Sequence, residues 1–274
     1  MTARSLANPI PVAVAALVAL TALGWATLFA DAMSRGSGMQ AFMEALCAPA
    51  DIMGARSASE ALSRLAASIG MWMAMSVAMM LPTASLLIVG FADRLEERAA
   101  RGLRRATPLA LGAGYLAVWI GVAIMAAIAQ AGASAAFSAI EIPPRETTII
   151  AGVVIGAAGF YQFSGFKHAC LLLLRNPFTA KTEEAFSSNA AAFRLGASQG
   201  ATCVGCCWAM MGLLVVVGAM NLVWMAIFAI VMATEKMTDL AAFPKLVGAA
   251  MIGAGAALSV SAVGLDAIRS AIFG

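Results

Sequence analysis

Histidine is almost missing from this chain, with His168 the only one in 274 residues. A single imidazole excludes zinc sites built on paired histidines, the HExxH proteases among them. Charge is nearly as scarce: Asp, Glu, Lys and Arg make up 11% of the residues against 62% hydrophobic, where soluble domains carry about 25% charged. No polar segment between the apolar runs is long enough to bury a core of its own. Nothing suggests a soluble enzyme domain, and the functional site has to lie within or beside a membrane. The net charge of +3 is small and comes from arginine-rich connections, which orient membrane helices rather than recruit nucleic acid. A GxxxxGK[ST] phosphate loop is absent too, so the chain has no nucleotide energy source of its own.

What is present is a series of apolar runs. A crossing takes about 20 such residues, and the runs predict an all-α, polytopic transmembrane bundle of about seven spans. They fall at about 10–30, 68–91, 108–131, 147–166, 198–218, 221–236 and 245–264, in a single membrane-embedded domain over 1–274. The first run is longer than the roughly 7 to 15 apolar residues of a secretory leader, so it reads as a retained helix. The apolar stretch 196–234 would be about 58 Å long as one helix, roughly twice a bilayer core, and is therefore divided at 218–221. Pro82 is expected to kink the second span just below Met80. Gly152, Gly156 and Gly159, and again Gly248, Gly253 and Gly255, leave smooth faces for close helix packing.

Orientation follows from arginine. The connection 93–107 holds Arg94, Arg98, Arg101, Arg104 and Arg105. With the N-terminus cytoplasmic, these join Arg4, Lys167, Arg175, Lys181, Arg194, Lys236 and Lys245 on the inner side, twelve of the 17 Lys and Arg. The polar loop 31–67, with Cys47, then lies outside.

The stretch with chemistry in it is ATCVGCCWAMM at 201–211. Its spacings put Cys203, Cys206 and Cys207 on one helix face, with neighbouring Cβ atoms about 5 to 6 Å apart, and Met210 extends that face. Three of five cysteines within five positions point to a ligand or redox cluster, with packing as the plain alternative. Met71, Met75 and Met79 share a face of the second span. Met79 and Met80 reach the depth of Cys206 and Cys207 and are expected to face them. Thiolate with thioether favours a soft monovalent ion, Cu(I), and zinc can bind through thiolates alone; calcium and magnesium want oxygen ligands. Cys170 and His168 complete the candidates, but a straight helix places them about 15 Å below Cys203, at the inner end.

In order and spacing, these stretches resemble a bacterial family of predicted metal-binding integral membrane proteins of uncharacterised function, often labelled copper chaperones. The resemblance rests on Trp72, Met75, Ala78, Met79, Met80 and Pro82, then Gly114, Tyr115 and Trp119, then Tyr161, Gln162, Lys167 and Cys170. It continues through Cys203, Gly205, Cys206, Cys207 and Trp208 to Gly218, Met220, Asn221, Glu235 and Lys236. Many members carry a second cysteine four residues after the position of Cys170, where this chain has Leu174.

The resemblance implies a protein of the bacterial plasma membrane that handles copper. Its partners would be membrane lipid and a cuproprotein or metallochaperone, and no catalysis is required. Two other readings compete. A membrane thiol oxidoreductase would use Cys203 and Cys206 as a CxxC pair, although helical geometry holds their Cβ atoms farther apart than the roughly 3.5 to 4.5 Å of a disulfide; Gly205 would have to permit unwinding. An accessory subunit or small-solute permease would use the cysteines only as packing.

Overall fold

The computed structural model describes residues 9–34, 58–99, 106–138, 143–178, 180–217 and 222–273, and every regular element among them is helical. In chain order these are α1 (Pro9–Ser34), α2 (Ala58–Met80), α3 (Ser85–Ala99), α4 (Pro108–Ser138), α5 (Pro144–Tyr161), α6 (Gly165–Arg175), α7 (Asn189–Val217), α8 (Leu222–Met237) and α9 (Ala242–Phe273). Short 3₁₀ turns lie at Pro82–Ala84 and Ala180–Phe186. Proline starts α4 and α5, where a helix has no use for its missing N–H.

Among the described residues four helices are long and apolar enough to cross a membrane: Ile10–Asp31, Leu62–Met80, Pro108–Ala133 and Ala242–Gly264. The pair α5 and α6, bent by 57° at a short break, makes a fifth if it counts as one broken or re-entrant span. About seven were expected. The 16 residues of α8 fall short of the roughly 20 that a perpendicular crossing needs.

Element ends also differ from the sequence reading. Helix α2 starts at 58 rather than 68 and α7 at 189 rather than 198. Apolarity marks the stretch fit for lipid, whereas a helix continues through polar turns whose side chains support one another, as Arg64 does by pairing with Glu60 at 2.7 Å. The expected connection 93–107 begins inside α3: Arg94 lies 4.2 Å over the Phe178 ring and Arg98 lies 4.5 Å over Phe186 while pairing with Glu183. Arg4, Cys47, Arg101, Arg104, Arg105 and the division at 218–221 lie outside the described residues.

Pro82 does more than kink its span. It cannot donate to the Ala78 carbonyl, and that carbonyl accepts from Trp25 Nε1 of α1 at 3.1 Å instead. The chain re-forms as a 3₁₀ turn and then α3, so 68–91 is two helices rather than one. The break also frees the Met80 carbonyl, which accepts from Thr83 Oγ1 at 2.8 Å and from the Tyr115 hydroxyl at 3.2 Å.

Glycine sets the two closest helix contacts. Along α5 and α9, a Cβ on Gly159 would stand 2.8 Å from the Gly248 carbonyl oxygen, and one on Gly152 would meet the Gly255 carbonyl and Ser259. Gly253, expected to share this face, has open space instead, as does a Cβ placed on Gly156. The second contact joins α4 to α7. A Cβ on Gly114 would strike the Phe193 carbonyl, one on Gly196 the Leu111 carbonyl, and one on Gly200 would lie 3.0 Å from the Tyr115 carbonyl. Gly196, Gly200, Cys203 and Cys207 follow one another at steps of four, three and four, so the face that seats α4 also carries the cysteines.

Candidate metal centre

Cys203, Cys206 and Cys207 project from the middle of α7, and their sulfurs all lie within 4.8 Å of one another. Each is 1 to 2% exposed. Metal–thiolate bonds of about 2.3 Å reach across that span, so the group can hold an ion. Cys206 Sγ stands 3.2 Å from Cys207 Sγ and, also at 3.2 Å, from the Cys203 carbonyl oxygen. Helix α7 runs unbroken through Gly205. The unwinding that a Cys203–Cys206 disulfide would need does not occur here.

The donors around this group are soft. Met80, at the proline break, brings its Sδ to 3.9 Å from Cys203 Sγ. Met79 and Met80 were expected to face Cys206 and Cys207; the contact formed is that of Met80 with Cys203. Met75 and Met79 are as fully buried as Met80, but about 100° of turn per residue directs the stripe they share to another side of α2.

Three side chains complete the surroundings of Cys203. The Tyr115 hydroxyl, whose one hydrogen is shared with the Met80 carbonyl, stands 3.0 Å from its Sγ, and Lys236 Nζ donates to the same sulfur at 3.0 Å. Lys236 also reaches Thr83 Oγ1 at 2.9 Å and Met80 Sδ at 3.7 Å. The sequence reading set Lys236 in the cytoplasm as a flanking charge. It is 4% exposed, inside the protein and against the sulfurs. The available signal was its position: a lysine that closes a short apolar helix is as free to turn inward as outward.

Cys170 and His168 part company. The break at 162–164 turns the chain so that α6 packs against α7, and Ser164 caps it by accepting from the Lys167 backbone N–H at 3.2 Å. Cys170 is thereby buried against α7, where a Cβ on Gly205 would lie 2.9 Å from its sulfur. The straight-helix separation of Cys170 from the cluster does not hold, though its sulfur is not one of the group of three. His168 points away. It is exposed and borders a cavity of about 390 Å³ with Gln162, Ser164, Lys167 and Lys245. Lys167, also expected to flank a membrane surface, is 1% exposed, bonded to Gln162 and paired with Glu235 at 2.7 Å.

A family model described as PpoB2, copper chaperone, matches residues 69–258. That range takes in Met80, Tyr115, all three clustered cysteines and Lys236. No curated protein and no solved structure matches the chain. With well over half of its length matched, the chain belongs to the PpoB2 copper chaperone family.

Proposed function

We propose that this protein is an integral membrane metallochaperone whose cargo is Cu(I), held at Cys203, Cys206 and Cys207 with the Met80 thioether. It passes the ion to a cuproprotein or a second metallochaperone, and no catalytic step is needed. The observation that carries this reading is the donor set: three thiols within 4.8 Å of one another, one of them 3.9 Å from a thioether, all but closed to solvent. Thiol and thioether sulfurs prefer a soft, low-coordinate ion.

The membrane part of the reading rests on where apolar side chains point. Leu23, Met125, Val153 and Val260 are 60 to 71% exposed on helices of crossing length or, for Val153, on the bent pair. Such faces are costly in water and natural in lipid. The bulk of the arginines then favours a cytoplasmic N-terminus in a bacterial plasma membrane.

Metal content of the full chain, purified in detergent from copper-replete and copper-starved cells, tests the proposal. Copper should appear in stoichiometric amount and vanish when Cys203, Cys206 and Cys207 are all serine. Equal copper in wild type and the triple variant would overturn it.

A further inference from the structure

We infer that the cavity at the break between α5 and α6 binds a phosphodiester anion, presented to it as the headgroup of a membrane phospholipid. The anion site is independent of the copper proposal, and only the lipid as its source rests on the membrane reading.

The cavity of about 390 Å³ is of small-ligand size, and its polar wall is made of donors. Buried Lys167 spends two ammonium hydrogens, on Gln162 Oε1 and Glu235 Oε2. The third has no acceptor among the described residues. Gln162, buried as well, has its carbonyl oxygen taken by that lysine; one amide hydrogen meets only the Met251 sulfur, at 3.9 Å, and the other is unspent. Gly165, on the same wall, opens α6, so its backbone N–H has no helical acceptor. Lys245 and His168 complete the polar lining, and among the described residues no carboxylate joins them. Donors in excess of acceptors call for an anion.

Charge and place narrow the ligand. Glu235 cancels the charge of Lys167, which leaves the Lys245 ammonium uncancelled on the wall. A phosphodiester brings one negative charge to match it, and its two free oxygens can accept from several of these donors at once. The cavity lies where α5 ends at Tyr161 and the apolar crossing of α9 begins at Ala242, the level of lipid headgroups. Phe163, on the wall, and Leu246, next to Lys245, are exposed apolar side chains against which acyl chains can lie. A basic pocket between helices at the inner membrane face suits a phospholipid headgroup.

The test titrates the full chain in neutral detergent and follows binding by native mass spectrometry. The probes are phosphatidylglycerol, diacylglycerol with the same acyl chains, and glycerophosphoglycerol, the headgroup without chains. One phosphatidylglycerol per chain should be retained, diacylglycerol should not bind, and the chain-free diester should bind at least about tenfold more weakly than the lipid. Lys245→Gln should weaken the lipid at least about tenfold, whereas Arg194→Gln, which removes an exposed charge from α7 instead, should leave it within about twofold. Diacylglycerol bound as tightly as phosphatidylglycerol, an affinity unchanged in Lys245→Gln, or equal losses in Lys245→Gln and Arg194→Gln would overturn the inference, as would binding of neither diester. A chain-free diester bound as tightly as the lipid keeps the anion site and overturns the lipid as its source. Recovery of the chain from cells without detergent would overturn the membrane reading itself.

Discussion

Among the described residues two lysines are buried, and they are buried for different reasons. Lys167, on α6, has a carboxylate: Glu235 Oε2 at 2.7 Å, with Gln162 as a second partner. Arg175 holds the same corner by donating to the Glu235 carbonyl oxygen at 2.5 Å. Lys236, one residue along α8, turns to the other side and meets only a hydroxyl and two sulfurs among its hydrogen-bond partners. The first charge is cancelled within the fold whatever the protein carries. The second has no carboxylate among these partners; on the proposed reading it is balanced by thiolate, so its energy depends on what the cluster holds. A neutralised ion pair belongs to architecture, and an ammonium set against thiols belongs to a site.

The comparison breaks most visibly at Lys167. Lys167→Met strands the Glu235 carboxylate and should cost about 3 to 5 kcal/mol, read as a fall in the unfolding midpoint of the detergent-solubilised protein. Adding Glu235→Leu should restore most of the loss. A midpoint equal to wild type in the single variant would remove the distinction between the two lysines.

On the sulfur side, Cys206→Ser or Cys207→Ser should lower Cu(I) affinity at least about tenfold in a chelator competition, with the midpoint near that of wild type. Cys47→Ser should change neither quantity. Met80→Leu gives a smaller effect: stability should drop by less than about 1.5 kcal/mol, affinity should weaken, and X-ray absorption should lose one sulfur neighbour. The same change at Met75 or Met79 should leave the sulfur count alone; a loss there would return the methionine stripe to the site. The smallest effect belongs to His168, which is exposed away from the cluster. His168→Ala should move Cu(I) affinity by no more than about twofold, the usual range for a surface substitution.

The cysteine group was legible because it is local. Spacings of three and one within a single helix put Cys203, Cys206 and Cys207 on adjoining ridges whatever surrounds them, and the structure keeps them within 4.8 Å. The same holds for the close contact of α5 with α9, where Gly152, Gly159, Gly248 and Gly255 serve as the pattern suggested. Gly253 shows the limit of that reasoning, since a glycine belongs to a contact only if its own azimuth meets the partner helix.

The sequence by itself determined the helical class, the face that carries three thiols and the kinship with copper chaperones, because composition, helical period and motif order need no knowledge of neighbours. Tertiary structure decided the rest. Which methionine reaches the cluster depended on which side of α2 faces the cysteines, since Met80, 3.9 Å from Cys203, lies about 100° of helix turn away from Met79. That Cys170 lies against α7 depended on the 57° bend between α5 and α6, a turn that periodicity cannot register. Whether Lys236 met water or sulfur was set by how α8 packs against α7 and the Pro82–Ala84 turn. A helix fixes the angles among its own side chains, but only its packing against others decides which way those angles point.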